Sequence, residues 1–385
     1  MPNTFGSDGF LRQSLTRRRL LAAGGAAVGA AVLAACGDDG DSGSTTAAPQ
    51  GSVTTEPEKP SKLVMRAWGD PYSTKLGESG GASFTAKTGI PVEFDLTDFG
   101  EMKAKIEQAF KAGERPFVDV AYTTTPDAYI ASSQGYAAKL DPAIVTNYGQ
   151  LTPVGVPDDG STNWVNIYTY SIPILYRKDL VDFPADMSID ELWDPKYEGK
   201  LSINIDPNIL VWPLAKKFGL DPGTDDLTPL WDRVAELRPN IGAIFTSDTE
   251  LLTLMNSGQI AVAWGLPGNA NYIENGNGAT KVTTEGATLS SDALYIPAGL
   301  PDNVTYWAQV FVNEVIAANN LTTFTQAISA VPTNGGSKPL DSMRGDPAFP
   351  FTADELTKYS IPMVNSVYAA KRDEWIEAMS VALQG

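Results

Sequence analysis

One cysteine, Cys36, and no histidine set the reactive inventory of this 385-residue chain. A lone thiol forms neither an internal disulfide nor a thiolate metal cluster. Without imidazole there is no Ser-His-Asp or Cys-His relay, no histidine-ligated zinc and no histidine pH switch. Carboxylate, hydroxyl and indole chemistry remains. Two acids suffice for glycoside hydrolysis, tyrosine and carboxylate oxygens hold hard metal ions, and carboxylates with indole faces hold organic ammonium ions. The turn cluster Asn275-Gly276-Asn277-Gly278 is not read as a nucleotide loop, because no Gly-Lys-Ser/Thr follows it and no strand closely precedes it. No cofactor and no metal is expected.

Cys36 ends the stretch Leu33-Ala34-Ala35-Cys36, behind Thr16-Arg17-Arg18-Arg19-Leu20-Leu21 and an apolar run from Leu20 to Ala35. A basic segment, a short apolar segment and small residues before a cleavage point make a secretory signal. The run is shorter than the roughly 20 apolar residues of a membrane span. Leu-Ala-Ala-Cys resembles the bacterial lipoprotein box, in which the cysteine is lipidated and becomes the first mature residue. The paired arginines resemble a twin-arginine export signal. Residues 1–35 are therefore expected to be a signal peptide, Cys36 the lipidation site, and the protein lipid-anchored at the outer face of the cytoplasmic membrane or in the periplasm. A buried Cys36 after an ordinary N-terminal helix is the alternative. Residues 36–62 read as a lipidated, disordered tether with almost nothing apolar, whose typical reach is roughly 25–30 Å.

Lysine and arginine total 28 against 46 aspartates and glutamates, a net charge of −18. Removal of residues 1–35 takes away Arg12, Arg17, Arg18 and Arg19 with only Asp8, so the mature chain is more acidic still. Such a surface repels nucleic acid and serves solubility, and no nucleic-acid partner is expected. An apolar content of 43% with 19% charged residues describes a globular chain with a large core, long enough for two domains or one bilobed one.

The elements that would position any site alternate from Leu63 onward. Leu63 to Trp68 reads as a strand, broken by Gly69-Asp70-Pro71. A helix over 73–88 is capped by Gly89, Ile90 to Leu96 is the next strand, and Phe99 to Ala112 is a helix with Met102, Ile106 and Phe110 on one face. Phe117 to Tyr122 is a strand, and a polar loop, Thr123-Thr124-Thr125-Pro126, opens a helix to Gln134. This order implies a mainly parallel sheet covered on both faces, with ligands beyond the carboxyl ends of strands; the loops after Trp68 and Tyr122 are the first places to look. Farther on, Ser188 and Glu191 read as a capping box. Lys200 to Ile205 and Ile260 to Trp264 are strands. Leu227 to Leu237, Asp248 to Ser257, Asn303 to Ala318 and Leu321 to Ala330 are helices, and Lys358 to Ala382 holds a terminal one. Trp193, Trp212, Trp231, Trp307 and Trp375 sit in packing patterns and are read as structural.

The stretch Ile189-Asp190-Glu191-Leu192-Trp193-Asp194-Pro195-Lys196-Tyr197-Glu198-Gly199-Lys200-Leu201 resembles a signature of the extracytoplasmic solute-binding proteins of bacterial ABC importers, in their spermidine/putrescine-binding branch. Thr88-Gly89-Ile90-Pro91-Val92, Arg238-Pro239-Asn240-Ile241, Phe245-Thr246-Ser247-Asp248, Val262-Ala263-Trp264 and Val331-Pro332-Thr333-Asn334 extend the likeness from about residue 63 to the C-terminus. The resemblance implies an α/β, type II periplasmic-binding-protein fold, with two α/β lobes closing about a hinge of crossing strands. Residues 63–169 and 292–335 would form one lobe, and 170–291 and 336–385 the other with the C-terminal helix. The crossings are placed near Tyr168–Pro173 and Asp292–Pro297.

The same resemblance implies a ligand site. Trp68 and Tyr72 match site aromatics, Thr124 and Thr125 fall in a hydroxyl-donating loop, Asp206 and Asp292 match ligand carboxylates, and Trp264 a stacking indole. Each has a plainer reading beside it: Trp68 and Trp264 as core aromatics, Asp206, Thr124 and Thr125 as helix caps, Asp292 as a turn residue. Tyr168 and Tyr170 read as hinge packing, with Tyr170 nearer the ligand. The family's second carboxylate falls on Ile209, its hinge tryptophan on Ser290, and a tyrosine on Ala330 or Val331, so a smaller or singly cationic amine fits as well as a polyamine. The function implied is a non-enzymatic, monomeric receptor that delivers a small, cationic solute to an ABC permease. Another polar solute, a metal, a sensing role without transport, or a glycosidase built on Asp206 and Asp292 are the alternatives.

Overall fold

Strands buried along nearly their whole length form the centre of this fold, and left-handed glycines end three of its helices, at Gly89, Gly113 and Gly219. The computed structural model describes residues 56–384; the signal segment, Cys36 and the tether up to residue 55 lie outside the described residues. Along the chain come β1 (Leu63–Arg66), β2 (Val92–Asp95), β3 (Val120–Thr124), β4 (Trp164–Ile172), β5 (Ile174–Arg177), β6 (Leu201–Asn204), β7 (Ile241–Phe245), β8 (Val262–Trp264), β9 (Gly278–Lys281), β10 (Ala287–Tyr295), β11 (Val331–Pro332) and β12 (Ser360–Pro362). One sheet has the order β11-β4-β10-β3-β1-β2, with β12 also on β10; the other has the order β7-β6-β8-β5-β9. This two-sheet α/β architecture is the one expected. Its β1, β2 and β3 pair in parallel, as do β6, β7 and β8 and the pair β10–β12, while β10 is antiparallel to β3 and β4, and β5 to β8 and β9.

The helix after β1 is built in three parts, Tyr72–Leu76, a π-helical turn Gly77–Gly81, and Ala82–Thr88, and ends on Gly89 at φ 77°. Its glycines let a neighbouring helix approach: a Cβ on Gly80 would lie 2.8 Å from the Cα of Val315. The helix Phe99–Ala112 buries Met102 and Ile106, whereas Phe110 is left 39% exposed at its far end. The reciprocal capping box expected at Ser188 does not form. Residues Ile189–Trp193 make a 3-10 turn, the Ser188 hydroxyl and the Ile189 amide both donate to Glu285, and Glu191 is held by Lys196.

The chain changes sheet at Pro173, between β4 and β5, and again between Lys281 and Ala287. The second change comes upstream of the Asp292–Pro297 position expected, because β10 is already paired with β4 and β12 from Thr288 on. Each sheet has its own core. The first gathers Leu63, Met65, Tyr122, Ile167, Phe311 and Phe324; the second gathers Leu201, Ile203, Trp212 and Trp264, completed by Tyr368, Trp375 and Met379 of the terminal helix Asn365–Gln384. Among the described residues no helix is long and apolar enough to cross a membrane.

One prediction follows from the close approach of β6 and β7. A Cβ on Gly242 would lie 2.2 Å from the carbonyl oxygen of Gly199. Gly242→Ala must push backbone apart, and is expected to cost about 1–3 kcal/mol of stability in urea unfolding, whereas Gly149→Ala, facing open space, should change little.

Candidate functional site

The carboxyl ends of β1 and β3, with the stretch of β10 that runs antiparallel beside them, bring one cluster together in the first lobe. Asp292 lies on β10 opposite Thr124 of β3 and Tyr168 of β4, and is 6% exposed. Its Oδ2 accepts from the Trp68 indole at 2.8 Å and from the Tyr168 hydroxyl at 2.7 Å; its Oδ1 accepts from Tyr170 at 3.3 Å. Tyr122 donates in turn to Tyr168 at 2.7 Å. Burial pushes the Asp292 carboxyl up to about 6, against the pull of those three donors and of the nearby Arg66 charge. The same burial, with Asp292 beside them, raises Tyr168, Tyr170 and Tyr122 well above the usual phenol range.

Arg66 shapes this end. Its guanidinium stacks 4.1 Å from the Trp68 ring centre and donates to the carbonyl oxygens of Tyr122 at 2.9 Å and Thr97 at 3.2 Å. Arg66 and Asp292 are both buried, yet they are not paired directly. Phe99 packs against the same indole, 5.1 Å between ring centres, and Tyr122 meets it edge-on at 6.0 Å.

Tyr72, at the start of its helix, is raised by burial and then by the charges of Asp292 and Asp248. Asp248 belongs to the second lobe. It opens the helix Asp248–Asn256, accepts from the Asn269 amide at 2.9 Å, and is itself raised by burial. Tyr72 is thus within electrostatic reach of carboxylates from both lobes and of the exposed Tyr272.

The other expected residues are placed differently. Thr124 donates to Asp127 at 2.6 Å and makes no side-chain cap to the helix Thr125–Ser133. Thr125 is 4% exposed, its hydroxyl within 2.8 Å of both Asn166 Oδ1 and the Ser291 carbonyl; it ties the helix to β4 and β10 and presents nothing to a ligand. Asp206 accepts from the Asn208 amide at 3.1 Å, and so does cap the next helix. It also takes the Tyr368 hydroxyl and lies 3.5 Å from Arg372, both from the terminal helix. Trp264 is not gathered with Trp68 and Asp292: it is 2% exposed, packed in the second core beside Ile174, its partner on β5.

Sequence reasoning missed Asp248, Arg66, Asp127, Tyr368 and Arg372, and read Tyr168 as packing. Asp248 was findable, since it stands just past the carboxyl end of β7, where such sheets place ligands. Arg372 carried no local signal, because only tertiary packing brings the terminal helix to Asp206.

Comparison with known proteins agrees with this architecture. Residues 81–351 match the family described as bacterial extracellular solute-binding protein. The spermidine/putrescine-binding periplasmic protein of Escherichia coli (strain K12) is 27% identical over 233 residues, covering 56% of this chain and 63% of that protein. The match therefore spans less than two thirds of that relative. Among solved structures, the spermidine/putrescine ABC transporter substrate-binding protein of Streptococcus pneumoniae superposes with a TM-score of 0.68 at 20% identity, covering 84% of this chain and 100% of that one. A GABA receptor, Atu4243, gives a TM-score of 0.67 at 21% identity, covering 84% and 97%. At these identities the structures establish the fold, and the family match over most of the folded body establishes descent: this chain belongs to the bacterial extracellular solute-binding proteins.

Proposed function

We propose that the protein is the substrate-binding component of an ABC importer and captures a small amine in the cleft between its two sheets, for delivery to a membrane permease. The observation that carries this reading is Asp292, a buried carboxylate ringed by Trp68, Tyr168 and Tyr170, with Tyr72 in electrostatic reach of both it and Asp248 of the opposite lobe. An ammonium there gains charge-assisted hydrogen bonds and an indole face. Two of the similar proteins carry amines in their names, spermidine/putrescine and GABA, which supports the same class. A polyamine such as spermidine or putrescine is one candidate, a shorter singly cationic amine another. The receptor works as a monomer on the outer side of the cytoplasmic membrane, anchored by lipid at Cys36 after twin-arginine export.

Ligand that binds only the folded state raises stability by roughly 3 kcal/mol at a hundred times its Kd. Thermal unfolding of the mature protein with putrescine, spermidine, 4-aminobutyrate, choline, glucose and succinate is the test. At least one amine should raise Tm while succinate does not. A response to glucose or succinate alone would overturn the assignment.

A further inference from the structure

Resting on the amine reading above, we infer that the solute is a zwitterion, its ammonium at Asp292 and its carboxylate on the guanidinium of Arg372. The two ends of the cleft are chemically unlike. At one, Asp292 and Asp248 both act on Tyr72, and neither has a direct ion-pair partner among the described residues. At the other, Asp206, just past β6, is already taken by Tyr368, by the Asn208 amide and by Arg372. A second ammonium arriving there would meet an arginine rather than a free acid, which disfavours a diamine.

The two ends are joined along the floor of the first lobe. Thr124 faces Asp292 across β3 and β10 and donates to Asp127. Asp127 in turn lies within electrostatic reach of Tyr368 and Arg372, and its own charge is balanced by Lys103. Arg372 lies over the Tyr368 ring, 5.7 Å from its centre. Among the described residues its one ionic contact is the 3.5 Å approach to Asp206, it makes no hydrogen bond, and its Nε is buried without an acceptor. A planar guanidinium with unmet donors matches the two oxygens of a carboxylate.

The test is calorimetric titration of the mature protein with ω-amino acids from β-alanine through 4-aminobutyrate to 6-aminohexanoate, each against the diamine of equal chain length, with n-butylamine as the monoamine probe. The best amino acid should bind at least about tenfold tighter than its matched diamine. Arg372→Gln should remove that advantage and leave n-butylamine within about twofold of wild type; Arg372→Lys, which keeps the charge and loses the fork, should fall between. A diamine that binds tighter in the wild type, or an amino-acid affinity unchanged in Arg372→Gln, overturns the zwitterion and leaves amine capture standing. Failure of every amine, the monoamine included, overturns both.

Discussion

Asp292→Asn should weaken binding of any amine by about a hundredfold or more while leaving the fold intact. Removing one partner of a buried, hydrogen-bonded charge pair costs about 2–5 kcal/mol, because the ligand's ammonium is then desolvated without an opposing charge. The replacement is nearly isosteric. Its Oδ1 still accepts from Trp68 and Tyr168, which now meet at one carboxylate oxygen at 2.8 and 2.7 Å, so the surrounding β10 and β4 have no reason to move. Titration calorimetry on both proteins measures the effect, with far-ultraviolet circular dichroism as the control. An affinity within threefold of wild type would remove Asp292 from the site. Asp248→Asn should act in the same direction and more weakly, since Asn269 already holds one of its oxygens.

The second large effect is a pair of opposed pH profiles. Burial sets the Asp292 carboxyl at about 6, above the ordinary aspartate range. Between about pH 4 and pH 6 the unfolded chain has lost this proton and the folded protein keeps it. The stabilisation is therefore complete at acid pH and is lost as pH rises through about 6, to the extent of about 3 kcal/mol for a shift of two units. An ammonium needs the ionised form, so affinity runs the other way: constant above pH 7, and about tenfold weaker for each unit below 6. Of the groups around Asp292, Tyr72, Tyr122, Tyr168 and Tyr170 are raised from the phenol range and do not titrate in this window, and Arg66, though lowered by burial, stays a cation; Asp248, also raised by burial, adds to the loss of affinity in acid. Urea unfolding of wild type and Asp292→Asn at pH 4.5 and 7.5 reads the first profile, and calorimetry over the same range reads the second. Parallel stability profiles in the two proteins would show that Asp292 ionises normally.

Much of the scaffold was legible because its cues are local. The helix Phe99–Ala112 matches its expected span, and Gly89 and Gly113 take the left-handed conformation their positions demand. Side chains whose neighbours are distant in sequence were harder to read. Glu191 has the right spacing for a capping box, but Lys196 outcompetes a backbone amide for its carboxylate. Trp264 has the composition of a site indole, yet β8 lies between β6 and β5 and its ring turns into the core. Asp206 read equally as cap and as ligand, and the cap is real; what the sequence concealed was Arg372, more than one hundred and sixty positions away, at its side. Trp68, Tyr72 and Asp292 were reached through resemblance to a family. No periodicity would have joined an indole near the start of the fold to a carboxylate more than two hundred residues later.

The order in which the chain supplies its parts constrains its biogenesis. The middle strand of the first sheet, β10, is made only after the whole second sheet, and the second core waits for Trp375 and Met379 of the helix Asn365–Gln384. Strands β1 to β3 therefore emerge from the ribosome long before the strand that joins them to β4, and the second sheet is complete before the helix that covers its core, so apolar faces of both stay open during synthesis. Holding those faces apart in the meantime falls to whatever chaperone meets the chain first, and a nonsense codon ahead of residue 365 would leave the second core without Tyr368, Trp375 and Met379.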